Sequence, residues 1–283
     1  MKIRFLLLLL TASVQPVLSQ QWTENKKDLS FQLSQEIRNY AKVYDYDGNR
    51  RPVPDMQHWV STLEAEYGLS NSFSVGLSVP FLIHNRLAAD SSFNVASTET
   101  VNKPGDAIIT VRYLYPVNQN LQVSAFLQQS LATAETDAVL GLNTGYADYA
   151  QNVGGTVRWN KNNEVYATFD IGYRLRHDGF GDEINALAEF GFKITGKIWF
   201  LGRSKGVQPL ENGDDAVQGG NFGLFQQYEG FWDTGAGLRY NTTKWEFTGM
   251  ISGNFKGQYS PASPIYFVGV RYKIFKPAEE ESD

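Results

Sequence analysis

The chain has 283 residues and a formal charge of -5, with 18 Phe, 15 Tyr, 26 Gly and no cysteine. This excludes a disulfide framework and a cysteine metal site, and the sequence carries no clustered basic stripe of the kind that binds nucleic acid. Mean hydropathy is -0.33, which does not exclude a membrane protein, because a barrel shows lipid only every second residue.

Residues 1–19 read as a signal peptide. Lys2 and Arg4 precede an apolar run continuing to Leu18, and Val17 and Ser19 stand before Gln20. That run is too short to span a bilayer comfortably, Pro16 interrupts it, and no later stretch approaches the roughly twenty apolar residues of a membrane helix. If the chain enters a membrane, it does so as strands.

Residues 20–275 read as one domain: after a polar lead-in over 20–28, its strands alternate with a period of two. The first predicted strand, 29–44, places Phe31, Leu33 and Ile37 on one face. A loop is expected over 45–55, then a strand over 57–67 with Trp59, Leu63 and Tyr67 outward and Thr62, Glu64 and Glu66 inward. After a tight turn, 73–84 shows an apolar row from Phe73 through Leu77 and Phe81 to Ile83. A polar connection to Gly105 leads into strands over 106–115 and 121–131, with a long loop over 131–147.

The clearest alternation follows in 149–159, 164–176 and 183–194. Over 164–176, Val165, Ala167, Phe169 and Ile171 face Glu164, Thr168, Asp170 and Arg174. A shorter strand is predicted over 197–203, a loop over 204–220, then strands over 228–240, 244–254 and 265–275, with a charged tail at 276–283.

These twelve strands have tight turns at one end and longer polar connections at the other. That pattern marks an all-β fold, a transmembrane antiparallel up-and-down barrel, and an even strand number keeps both termini on the periplasmic side. Tyr67, Tyr113, Tyr115, Trp159, Tyr240 and Trp245 beside the short turns fit an interfacial girdle. A soluble barrel of twelve strands closed on an apolar interior would leave a cavity too wide for side chains to fill.

The polar face carries charges of both signs at membrane depth. Arg112, Glu164, Asp170, Arg174, Arg239 and Glu246 are the expected lumen-lining residues, because a base costs roughly 2–4 kcal/mol on the lipid side near the midplane. The same face holds Glu36, Arg38, Asp106, Glu183, Glu189, Glu229 and Asp233. Such a lumen is either an ion-lined channel or a passage plugged by salt bridges, and the balance of signs argues against strong ion selectivity. No enzyme is expected: none of His58, His84 and His177 is followed two positions later by serine, as it is in barrel phospholipases. Acidic loop pieces lack the spacing of an EF-hand, so neither metal nor cofactor is expected.

Several short stretches resemble one family. Tyr67-Gly68-Leu69-Ser70-Asn71 followed by Leu77-Ser78-Val79-Pro80-Phe81, Gly105-Asp106 opening a strand to Tyr113, the stretch Leu-Asn-Thr-Gly-Tyr-Ala-Asp-Tyr at 142–149, and Gly172-Tyr173-Arg174 with Gly181-Asp182-Glu183 occur in order. Together they are similar to motifs of the outer-membrane phenol meta-pathway transporters, which are loosely related to fatty-acid and aromatic-compound channels. Asn143 and Ala147 depart from that family's usual residues. The resemblance implies a bacterial outer-membrane channel or transporter for a small, possibly hydrophobic or aromatic, solute, with outer-membrane lipid around it. The chain's end, with Gly269, Tyr272, Ile274 and Phe275, resembles the signal read by the barrel assembly machinery. The rival reading is a closed-lumen barrel that acts through its loops as a structural or surface-interaction protein.

Overall fold

The computed structural model describes residues 26–136, 139–214 and 221–274. The expected signal peptide, Phe275 and the charged tail lie outside them. The strands are β1 (Leu29–Tyr44), β2 (Arg50–Gly68), β3 (Phe73–Leu87), β4 (Glu99–Lys103), β5 (Ala107–Pro116), β6 (Leu121–Leu131) and β7 (Gln151–Lys161). They continue with β8 (Val165–Leu175), β9 (Glu183–Thr195), β10 (Ile198–Pro209), β11 (Gly230–Asn241), β12 (Trp245–Gln258) and β13 (Pro264–Ile274). Each long strand pairs antiparallel with its neighbours, and β1 closes the ring on β13 from Leu29↔Ile274 to Arg38↔Ile265. Short β4 pairs only with the outer half of β3, while β5 takes the inner half. The two are one strand broken at Pro104-Gly105, so twelve strands make the wall.

The period of two decides which residues meet lipid. Leu33, Phe169, Ile251 and Val268 are 54%, 49%, 58% and 57% exposed, while their sequence neighbours Gln32, Ser34, Thr168 and Asp170 are buried in the lumen. A large apolar surface all around a closed barrel is a lipid-facing surface, not a water-facing one. The aromatic residues expected at the short-turn end are exposed there, Tyr115 at 55% and Trp245 at 45%. The turns are as tight as the sequence implies: Asn162 and Asn163 both take positive φ, 55° and 53°, as a two-residue hairpin turn requires.

Four expectations change. The 45–55 loop is shorter, because β2 begins at Arg50 and Pro52 joins the ladder opposite Lys42. The apolar row of β3 does not run unbroken. A bulge between the pairs Ser61↔Leu82 and Thr62↔Pro80 gives β3 an extra residue, so Phe81 and Leu82 both face lipid and Ile83 turns inward, fully buried. β10 does not stop at Arg203 but runs to Pro209, with Leu201 and Val207 buried. The loop over 131–147 does not stay outside, since Leu142, Asn143, Thr144 and Asp148 are buried.

Candidate functional site

The inward side chains build three groups at two heights. At the short-turn end, the wall from β1 to β5 is lined by small hydroxyls: Ser30, Ser34, Thr62, Ser74 and Ser78, all buried. Among them Gln32 Nε2 donates to Glu64 at 2.8 Å, and Ser74 Oγ donates to Glu66 at 2.6 Å. Arg112 Nη1 reaches Glu66 at 3.1 Å, and Arg271 approaches it at 3.6 Å while donating to Ser30 Oγ at 3.0 Å. Short side chains leave space there, a cavity of about 50 Å³.

The facing wall is filled instead. Glu189 accepts from Arg203 at 2.6 Å and from the Tyr166 hydroxyl at 2.6 Å, and Arg239 binds Glu189 and Glu246, each at 3.4 Å. A Cβ at Gly191 would strike the Tyr166 ring, so glycine is what lets Tyr166 lie across the sheet. Tyr166 also packs with Leu201, Met250, Phe267 and Trp199 in an apolar cluster inside the lumen.

At the other end the filling comes from loops. The Asp106 carboxylate accepts four backbone N–H groups, from Thr133, Ala134, Tyr146 and Ala147, at 2.9–3.1 Å. It therefore staples the 132–150 loop into the barrel mouth. Burial raises its pKa, and the backbone donors of Ala134, Ala147 and Tyr146 oppose that. A Cβ at Gly145 would collide with this carboxylate.

The stapled loop delivers Asp148 and Tyr146 to the wall. Asp148 and Glu183 share Arg174 and Arg176, with Arg176 at 2.9 Å from each acid and Arg174 at 2.8 Å from Glu183. Tyr146 lies over the Arg176 guanidinium at 3.7 Å. Its hydroxyl donates to Glu229 at 3.2 Å, and burial holds its pKa well above the ordinary phenol value.

The 221–229 loop meets it from the opposite side. Leu224 packs with Tyr40, Met56, Leu87, Val95 and Leu142, and Asn221 N–H donates to Gly141 at 2.9 Å. Phe222, Gly223 and Phe225 all have positive φ, a compact and strained backbone. Beneath the two loops a second cavity of about 70 Å³ remains. Glu229 lines it, and burial pushes its pKa up to about 7.

Of the expected lumen residues, Arg112, Arg174, Arg239 and Glu246 have side chains inside the barrel in three separate groups rather than one ring, and Asp170 is buried on the lumen face of β8. Glu164 is corrected: it sits in the turn before β8 and is exposed, because the inward parity continues past the end of the wall. Asp106 belongs to the loop staple rather than the passage. Sequence reading missed Tyr146, Asp148, Arg203 and Lys205. The inward parity of Arg203 and Lys205 is masked by apolar residues on both faces of β10. No cluster of His, Cys, Asp and Glu that could hold a metal ion occurs among the described residues.

The closed twelve-strand barrel, its lipid-facing exterior and its charged interior define an outer-membrane β-barrel. The fold is similar to that of the COG4313 outer membrane channel from Pseudomonas putida F1, at TM-score 0.70 and 12% identity, covering 93% of this chain and 100% of that one. It also resembles the KdgM porin in complex with disordered oligogalacturonate (TM-score 0.50, 9% identity, 88% of this chain and 99% of that one). The NanC porin is similar at TM-score 0.50 and 9% identity, over 87% of this chain and 100% of that one. No family model and no curated protein sequence matches the chain.

Proposed function

We propose that this protein is an outer-membrane channel for a small solute, which passes along the hydroxyl-lined wall of β1 to β5. One observation carries the reading: the two cavities lie one above the other along the same pair of strands. Gln32↔Glu64 lines the inner cavity and Glu36↔Val60 the outer one, with only Ser34↔Thr62 between them. Small side chains at that rung leave room for a passage to join the two cavities, while the facing wall is shut by the Glu189 and Glu246 ion pairs. The two loops close the outer end in the state described. Apolar lining by Leu224, Phe225 and Phe231, with the resemblance to phenol meta-pathway transporters, supports a solute with an apolar or aromatic part. Insertion through the barrel assembly machinery belongs to the same proposal.

The rival, a barrel closed for structural use, is favoured by the ion pairs around Arg174 and Arg239, which cross-link the interior. Planar-bilayer recording separates the two. The channel reading expects discrete conductance that Ser34→Trp abolishes and Tyr146→Ala enlarges. If the wild-type barrel and the Tyr146→Ala barrel are both silent, the closed structural barrel takes its place.

A further inference from the structure

The outer cavity contains more charge than its own contacts satisfy. Glu36 is held by Arg38 at 3.1 Å, Glu183 by Arg174 and Arg176, and His58 by Asn85 at 2.6 Å. Two groups remain. The Glu229 carboxylate takes the Tyr146 hydroxyl and the Phe225 backbone N–H and makes no ion pair among the described residues, although the Arg38 charge acts on it. The Lys205 ammonium stands 5.2 Å over the Phe231 ring and makes no hydrogen bond or ion pair among them, although Glu36 and its cross-strand partner Asp233 act on it. Both line the same cavity, whose remaining wall includes Val60, Val207, Leu224 and Phe225.

We propose that this cavity is a binding site for a small zwitterion, the free amino acid of a short apolar side chain, with its ammonium on Glu229 and its carboxylate on Lys205. The assignment rests on the channel reading and adds the class of solute. A lone anion would leave Glu229 without a contacting cation, a lone cation would leave Lys205 without a contacting acid, and a neutral aromatic would bury both, each at a desolvation cost. A zwitterion satisfies the two together, while Val60, Val207 and Leu224 take its side chain.

Size restricts the class further. A space of about 70 Å³, at roughly 10–15 Å³ for each water-sized group, matches the five heavy atoms of the ammonium–Cα–carboxylate unit, and a large side chain fits only by shifting Leu224 and Phe225. Because burial raises the Glu229 pKa to about 7, binding from below that pH releases a proton, and the site is ready for its ligand above it.

The test is calorimetric titration of the full folded chain in detergent at pH 8 with three matched probes: L-valine, isovalerate without the ammonium, and isobutylamine without the carboxylate. Valine is expected to bind about tenfold or more tightly than either, the worth of one charge-assisted contact. Glu229→Gln should remove its advantage over isovalerate, and Lys205→Met its advantage over isobutylamine. Lys205→Arg should keep both, and heat-modifiable migration confirms that each variant is folded. Equal affinity for all three probes, no binding of any, or a valine preference that survives both neutralising substitutions overturns the site. A barrel that conducts in bilayers without this preference overturns the zwitterion site alone. One that shows the preference yet stays silent in bilayers overturns the channel reading alone.

Discussion

The two halves of the lumen are filled by different means. In the half near the short turns, side chains of the wall itself do the filling, and partners such as Arg112 and Glu66 sit beside a cavity. In the outer half the wall receives loops, and the charges that hold them are fully enclosed: Arg174, Arg176 and Asp148 are each 0% exposed in their side chains. A charge beside a cavity can exchange its partner for water, whereas an enclosed one cannot. The inner half is thereby suited to passage and the outer half to closure.

The largest effect should come from breaking the enclosed half. Glu183→Ala leaves Arg174 and Arg176 with Asp148 alone, a loss of about 3–5 kcal/mol for an uncompensated buried charge. Glu66→Ala should cost less, about 1–2 kcal/mol, because Arg112 and Arg271 border a cavity that can admit water. Urea unfolding of the refolded barrel measures both, and equal losses would erase the distinction between the halves.

The lipid face comes next. Phe169→Arg is expected to cost roughly 2–4 kcal/mol and to impair assembly, read as loss of the heat-modifiable folded band. Thr168→Arg, on the lumen side beside Glu189, should retain that band. Loss of the folded band in both variants would mean that the wall's register is wrong.

A smaller effect is expected at the staple. Asp106→Asn keeps the shape but removes the charge that binds four backbone donors, so the 132–150 loop should loosen while the wall stays intact. Conductance should rise severalfold with unchanged heat-modifiable migration. An unaltered conductance would show that this loop does not close the outer half.

The smallest concerns pH. Burial raises Glu229 from its ordinary 4.5 to about 7, so the closed loops hold its proton more tightly than the opened ones do. Closure is then firmest below about pH 4.5, weakens as pH rises to about 7, and changes little above that. Arg38, Tyr146, Glu183, His58 and Lys205 face the same cavity, and the charge of Arg38 limits the effect. Open probability should climb from pH 5 to pH 8 in the wild type and stay level in Glu229→Gln. A slope that survives the substitution would assign the titration elsewhere.

The motifs that carry the family resemblance prove to be mutual neighbours. Gly105 N–H donates to Pro80 O at 2.8 Å, Asp106 presses on Gly145, Asp148 pairs with Arg176, and Tyr173 donates to Asp182 at 2.7 Å. Each stretch reads as a turn or a strand end, yet together they are the machinery that folds a loop into the mouth.

What the sequence determined by itself was the part that is local. Alternation over 165–175 or 183–195 places every side chain on lipid or lumen, because successive Cβ atoms of a strand point to opposite faces, and tight turns impose antiparallel order. The lumen positions of Arg112, Arg174, Arg239 and Glu246 followed from parity alone. Parity says nothing of height, so Glu164 was legible as inward although it stands beyond the wall. The tertiary structure decided the rest: the bulge that turns Ile83 inward, the staple between Asp106 and a loop forty residues on, and the meeting of Tyr146 with Glu229 across eighty-three. Such contacts depend on which chain segments the closed ring brings together, and no periodicity in one segment encodes the position of another.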